Sequence, residues 1–428
     1  MYFQLKKNNL RYSLYILVFF VLTMNQLIAQ DKIFSISIIK SPLENSFWWL
    51  EKNNFGRKIS NLSIETNFNY KTSKIEYKIN TFSDFKNDVI SNTYFDEAYI
   101  KYNISNRTFL RLGKYHKDFS RYLNDNLSSG SMLISQNSNP MPKVGIVSSR
   151  KIKKNDKISF DLGIAHGLFD KNDIYNESPF LHEKFIYINI INSEYEFSLG
   201  LVHEAMWSGS TYESGRQPNN FSDFLRVFIS ADRKLEDYDS LPVSHANALG
   251  NHLGIWDFNF KKRVDNKVLS FYYQHFFEDT SGLRFANQID GLWGLELENF
   301  IEQTTILFEY LHTTNQNKRP PYLNDSYYNH GIYKSGWSYK GYTIGNPFIS
   351  SGYNNTNPVN VFHIGLNGIV HDKFIYKILL SRKTNLDDNI RYLFQLAGNI
   401  NEDFTYQTSA INSIDNKSAL IFNIKYSF

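Results

Sequence analysis

Apolar and polar side chains alternate with a period of two in one segment of the chain after another. Leu62, Ile64, Phe68 and Tyr70 share one face of such a segment; so do Leu269, Phe271, Tyr273 and Phe277, and again Ile390, Tyr392, Phe394 and Leu396. Alternation places successive side chains on opposite faces of a strand, and about ten residues suffice to cross a bilayer at a tilt. Eighteen such segments are predicted: 33–39, 59–71, 75–83, 94–104, 107–115, 143–150, 156–166, 183–192, 195–204, 250–262, 267–277, 291–299, 303–314, 359–370, 374–384, 390–400, 403–412 and 417–428. An even number lets an antiparallel barrel close with both ends on one side. In the last segment Leu420, Phe422, Ile424, Tyr426 and Phe428 fall on one face and Ile421, Asn423, Lys425 and Ser427 on the other. A terminal strand of this kind ending in Phe marks bacterial outer-membrane barrels, although an ordinary edge strand can end the same way.

The connectors sort by length. With both chain ends in the periplasm, 72–74, 105–106, 151–155, 193–194, 263–266, 300–302, 371–373 and 401–402 fall inside and all are short. The long connectors 116–142, 167–182, 205–249, 278–290 and 315–358 then fall outside, the asymmetry expected of such barrels. Within 205–249, Phe221, Phe224, Leu225, Phe228 and Ile229 follow the spacing of an amphipathic helix, with Asn220 or Ser222 as its cap. A short helix over 221–231, packed over or into the barrel mouth, is predicted, with a strand as the alternative. The expected fold is therefore all-β: a transmembrane antiparallel β-barrel of about eighteen strands with long extracellular loops and a short helical element.

Composition narrows the setting. Lys6, Lys7 and Arg11 precede an apolar run from Leu14 to Met24 and a short stretch ending at Ala29, the order of a secretory signal peptide over residues 1–29, leaving 30–428 as the barrel domain. The leader carries three of the 46 Lys and Arg and none of the 42 Asp and Glu, so the mature chain has a formal charge of +1. Overall charge thus predicts no nucleic-acid partner. There is no cysteine, and 16% of the residues are aromatic, which suits a barrel wearing apolar rings outside and polar side chains inside. A secreted β-sandwich would share the tyrosine content but not the terminal strand.

Candidate chemistry lies in the outer connectors. The stretch GIYKSGWSYKGYTIGNPF, residues 331–348, combines four glycines, flat rings and two lysines without an acid. Pyranose faces pack on aromatic planes, and Arg or Lys can hold carboxylates of an acidic polymer. Trp207, Tyr212, Trp337, Tyr339 and Tyr342 are the candidate stacking platforms; Arg216, Arg226, Arg284, Lys334 and Lys340 are the candidate cations. Each has a plainer reading, as an interfacial aromatic or as a contact for lipopolysaccharide phosphate. Gly331, Gly336, Gly341 and Gly345 are read as positions of unusual backbone angle.

Several stretches resemble one family, the Wzi-like capsule-assembly proteins of the outer membrane: SFWWLEKNNFGR (46–57), LSSGSMLISQNSNPMPKVGI (127–146), SPFLHEKFIYI (178–188), GLVHEAMWSG (200–209), FFEDTSGLRFANQIDGLWG (276–294), LFEYLHTTNQ (307–316) and YYNHGIYKSGWSYKGYTIGNPF (327–348). The resemblance implies an eighteen-stranded outer-membrane barrel with a helical element, acting as a lectin that tethers capsular or extracellular polysaccharide. It carries over no catalytic residues.

Enzymatic motifs are not supported. GWSYKG is one residue too long for the G-x-S-x-G nucleophile elbow. His182-Glu183 and His203-Glu204 do not continue as H-E-x-x-H, and DKNDIYNES (170–178) lacks the glycine and closing glutamate of an EF-hand. No catalytic residue, metal or cofactor is assigned. The expected protein is a monomeric surface lectin of the cell outer membrane, in contact with exported polysaccharide, outer-membrane lipid and lipopolysaccharide; a porin for small solutes or saccharides is the alternative and a hydrolase the third class. Loop motifs are taken as more informative than charged residues facing the lumen. Deleting Phe428 should lower the amount of folded protein in the outer membrane; normal assembly of the deletion variant, with protein soluble in the periplasm, would contradict the barrel.

Overall fold

The computed structural model describes residues 32–41, 47–57, 61–86, 89–152, 155–231, 248–316, 327–352, 358–385, 389–412 and 417–427. The expected leader and Phe428 lie outside the described residues. Eighteen strands form one antiparallel sheet: β1 Lys32–Lys40, β2 Leu62–Lys71, β3 Ile75–Lys86, β4 Val89–Ser105, β5 Thr108–Lys114, β6 Pro142–Ile152, β7 Asn155–Leu168, β8 Phe180–Ile191, β9 Tyr195–Trp207, β10 Asn251–Val264, β11 Lys267–Phe277, β12 Gly291–Glu298, β13 Thr304–His312, β14 Asn360–Val370, β15 Phe374–Lys383, β16 Ile390–Asn399, β17 Phe404–Asn412 and β18 Ser418–Ser427. Each strand pairs with its chain neighbours, and β1 also pairs with β18, Ser35 opposite Ser427 and Lys40 opposite Phe422, so no edge is left open. Among the described residues three short helices accompany them: α1 Trp48–Glu51, α2 Phe221–Phe228 and α3 Thr280–Leu283. None is long and apolar enough to cross a membrane.

The period of two reads the wall correctly. Leu420, Phe422 and Ile424 on β18, Ile100 and Ile104 on β4 and Leu110 and Leu112 on β5 are exposed, as lipid-facing residues are in a chain taken alone. One irregularity matters: between β3 and β4 the register slips, so Asp96 and Glu97 together oppose Asn80. This bulge turns two consecutive acids toward the interior.

An empty barrel of this size would hold a water-filled channel. Here the connector 115–141 folds down into the lumen as a plug, and the wall supplies its hydrogen bonds. Glu309 on β13 accepts from Ser128 Oγ at 2.6 Å and Ser129 N–H at 2.6 Å, and from the Tyr272 hydroxyl. Gln274 on β11 accepts from Met132 N–H at 2.9 Å and Ser131 Oγ at 3.1 Å, and donates to Ser120 Oγ at 3.0 Å. Asp257 on β10 accepts from the Ser120 and Tyr187 hydroxyls. Nearer the periplasmic mouth, Asn124 donates to Glu296 at 2.7 Å, and Lys377 donates to Asn126 at 3.0 Å. The inward-facing polar residues, set aside as uninformative from the sequence, are what hold the plug.

Above this layer lies an apolar core inside the barrel, made by Leu127, Met132 and Leu133 of the plug, Trp48, Trp49 and Leu50 of α1, and Tyr328, Tyr333, Trp337 and Phe348 of the 313–359 connector. Trp48 stacks on Phe348 with ring centroids 4.8 Å apart, and the Arg391 guanidinium lies 5.4 Å over Trp48. The stretch 331–348 is therefore packed within the mouth rather than spread over the cell surface, a correction to its expected placement. The helix is also relocated: α2 sits on the outer wall, not in the mouth.

Replacing Glu309 and Asp257 together by Ala strips two buried acceptors from the plug, each costing about 1–3 kcal/mol through the donors left unpaired. In planar bilayers the wild-type protein should stay closed and the double variant should show channel openings; a variant that remains closed while keeping its β-structure would contradict the latch.

Candidate functional site

The outer mouth is built where two connectors interlock. Trp337 Nε1–H donates to the Leu133 carbonyl at 2.8 Å, the Tyr328 hydroxyl donates to the Met132 carbonyl, Asn346 Nδ2 donates to the Gly130 carbonyl at 2.7 Å and Asn137 Nδ2 to that of Thr343 at 2.7 Å. Glycine permits the contact at two points. Gly336 has φ +60° and a Cβ there would meet the Tyr328 carbonyl, whereas Gly345 is fixed by closeness, a Cβ lying 2.4 Å from the Met132 carbonyl oxygen. Unusual backbone angle thus explains Gly336 and Gly341 but not Gly331 or Gly345.

This packing decides where the candidate platforms lie. Trp337 is 0% exposed, and Tyr339 and Tyr342 are buried. Burial pushes the Tyr339 hydroxyl pKa up to about 12 and raises that of Tyr342. Their ring faces are taken by protein, Trp337 against Phe169 at 5.8 Å, so these three rings hold the mouth together. Trp207 is also buried, on the outer wall, between Phe180 and Phe224 of α2.

The exposed candidates gather on a cap. A three-stranded sheet joins Tyr175–Glu177, Ser210–Thr211 and Gly215–Arg216. It is tied down by the Tyr333 hydroxyl, which donates to the Ser208 carbonyl at 3.0 Å, and by Tyr175 with Ser335, oxygen to oxygen 2.5 Å. Tyr212 is 68% exposed on this sheet. Arg216 pairs with Glu177 at 3.3 Å at the surface, and the half-buried Lys334 pairs with the exposed Glu213. The structure so brings Tyr212, Arg216 and Lys334 together with two acids that sequence reasoning missed. No local motif marks Glu177 and Glu213, because the pairing spans connectors far apart in the chain. The other cations sit elsewhere: Arg226 half-buried on α2, Arg284 exposed at the end of α3, and Lys340 exposed beside Lys114.

Deeper in, a cavity of about 530 Å³ separates the plug from the β2–β4 wall. Arg57 bridges Glu65 at 3.3 Å and Asp96, Lys78 pairs with Glu97, and Lys117 of the plug pairs with Asp125 at 2.8 Å. The bulge that turns Asp96 and Glu97 inward builds one side of it, and burial holds the plug's His116 imidazole down to a pKa of about 4. Among the described residues, Asn80 and Asp96 each keep one buried oxygen without a hydrogen-bond partner. Mixed charge and spare acceptors suit water or hydroxyl-bearing guests, not a polyanion. Among the described residues no group of three His, Asp or Glu is placed to hold a metal ion.

An eighteen-stranded barrel with an apolar outer wall, closed by its own long loops, is an occluded barrel of the outer membrane. Residues 50–357 match the family of the capsule assembly protein Wzi, and the chain belongs to that family. Among solved structures it is similar to Wzi of Escherichia coli, described as an outer-membrane, carbohydrate-binding β-barrel involved in group 1 capsule assembly: 16% identity, 92% of this chain and 84% of that one covered, TM-score 0.61. A mutant porin of Rh. blastica aligns over 93% of this chain and 98% of its own, at 10% identity and TM-score 0.41. No curated protein matches in sequence.

Trp337→Ala should destabilise the folded barrel, by about 3–5 kcal/mol for a large buried ring, and lower the temperature at which its heat-modifiable gel band converts. A variant with unchanged conversion temperature would show that this ring is not part of the core.

Proposed function

We propose that the chain anchors or organises capsular or other exported polysaccharide at the cell surface through the cap formed by Tyr212, Arg216 and Lys334. The observation that carries this reading is the closed mouth: the chain devotes its longest connectors to blocking the channel and to holding a rigid platform of exposed ring and charge above it. A blocked barrel serves solute passage poorly, which disfavours the porin reading. Family membership and the carbohydrate binding described for the Escherichia coli protein support the same assignment.

The chemistry suits a polymer. Tyr212 offers a flat face to a sugar ring, and Arg216 and Lys334, held beside Glu177 and Glu213, offer donors and acceptors for hydroxyls and carboxylates. Each contact is weak at such exposure, but a repeating chain engages many copies, so weak sites sum to firm retention. The chain holds polymer without transforming it, and acts as a monomer.

Replacing Tyr212, Arg216 and Lys334 together by Ala should reduce cell-bound polymer several-fold and raise polymer in the medium, with total synthesis and heat-modifiable migration unchanged. Full retention by the folded triple variant would move the binding surface away from this cap.

A further inference from the structure

Helix α2 lies against the outer face of the barrel, and strand parity shows it. On β8, Glu183, Phe185 and Tyr187 point into the lumen, Glu183 pairing with Lys143 at 3.0 Å and Tyr187 bonding to Asp257. His182 and Lys184 therefore point outward, on the face that carries the exposed Phe180, Ile186 and Ile188. By the same register, His166 of β7, His203 of β9 and His252 of β10 also face outward near the extracellular rim. Four imidazoles and an amine make a polar strip on a wall that elsewhere is apolar, and polar or charged side chains toward lipid are destabilising.

The helix covers this strip. Phe224 packs on His166 and His182 with centroids 5.2 and 5.4 Å away, Phe228 packs on His182 at 5.2 Å, and Lys184 donates to the Phe228 carbonyl. Ser230, just past the helix, hydrogen-bonds His203 at 3.0 Å; His203 Nε2–H donates to His252 Nδ1 at 2.9 Å, and His252 Nε2–H donates to the Leu249 carbonyl at 2.9 Å. An Asn220–Asp223 capping box starts the helix. Its other face carries Phe221, Leu225 and Ile229, four residues apart and 75%, 48% and 72% exposed. It joins the wall through rings in contact, Phe221 on Phe224, Phe224 on Trp207 and Trp207 on the exposed Phe180, which pairs with the exposed Leu168 at the outer ends of β8 and β7.

We infer that α2 is a membrane-facing helix, seated in the outer leaflet with Phe221, Leu225 and Ile229 among the lipid acyl chains. It replaces the apolar belt where the wall itself is polar, so the lipid meets a continuous hydrocarbon surface across β7–β10. The occupant is lipid because the stripe is continuous with the barrel's own lipid-facing wall and lies beside it. An interfacial helix of this kind buries its apolar face at the boundary of headgroups and acyl chains. Arg226, half-buried on the same helix, is thereby placed at the membrane and not on the sugar-facing cap. This inference rests on the barrel's orientation in the membrane and not on polysaccharide binding.

The chain has no cysteine, so single labels are straightforward. Leu225→Cys, labelled with an environment-sensitive fluorophore and reconstituted in phosphatidylcholine vesicles, should be quenched several-fold more by a nitroxide carried on the acyl chain than by aqueous cobalt. Ile186→Cys on the wall should behave the same way and Tyr212→Cys on the cap the opposite way. Quenching of the Leu225 label by cobalt, as at Tyr212, overturns the inference; so does shielding from both quenchers, which means that a second copy or another protein surface covers the stripe. Heat-modifiable migration checks the fold of each variant, and Phe221→Cys, one turn earlier, reads the same surface should Leu225→Cys fail to assemble.

Discussion

A chain segment folded into the lumen of a barrel leaves water behind, and each of its backbone and hydroxyl groups must then find a partner or destabilise the fold. That requirement organises this molecule. Asp257, Gln274, Glu296, Glu309 and His363, on successive strands, face inward at the heights where 115–141 needs acceptors and donors. His363 Nε2–H reaches the Leu127 carbonyl at 2.6 Å, and its Nδ1 is fixed by Ser381 at 2.7 Å. With these wall contacts made, the plug's apolar side chains build a core above, and that core seats the connector that carries 327–352.

The barrel is consequently polar and apolar in layers. Outside is a hydrocarbon wall; inside, polar wall residues hold the plug and line a cavity beside it, while the mouth is packed like the interior of a soluble domain. The cap rests on that packed layer through Tyr333, Tyr175 and Ser335, so an exposed binding surface stands on a rigid base. Preorganisation of this sort lowers the entropy lost when a flexible polymer is bound. Helix α2 solves the opposite problem on the other face, covering polar wall residues instead of satisfying polar loop residues.

Much of the wall was legible in the sequence because alternation is a local signal: seventeen of the eighteen strands lie within three residues of their predicted bounds, the other, Val89–Ser105, starting five residues early, and the connectors sort by length as expected. What alternation does not encode is which connector folds inward. A stretch rich in glycine, tyrosine and tryptophan fits an exposed sugar site and a tightly packed mouth equally well, and Trp337, Tyr339 and Tyr342 turn out to be packing. The helical spacing of Phe221 to Ile229 was read correctly as a helix, yet its second apolar face, which points away from the barrel, gave no hint of which wall it lies against. The bulge at Asp96 and Glu97 breaks the period by one residue and so escapes a pattern search. The surface pairs Arg216–Glu177 and Lys334–Glu213 join segments 39 and 121 residues apart, beyond the reach of any motif.

The plug is a folded part of the barrel. Backbone amide hydrogen exchange on the intact protein in detergent micelles tests this most directly. Amides of 128–137 are expected to exchange as slowly as those of β10–β13, because Ser129, Met132 and Ser135 donate to wall or mouth partners within the core. Exchange of that segment within seconds, at the rate of an open loop, would contradict the occluded barrel and every conclusion drawn from it.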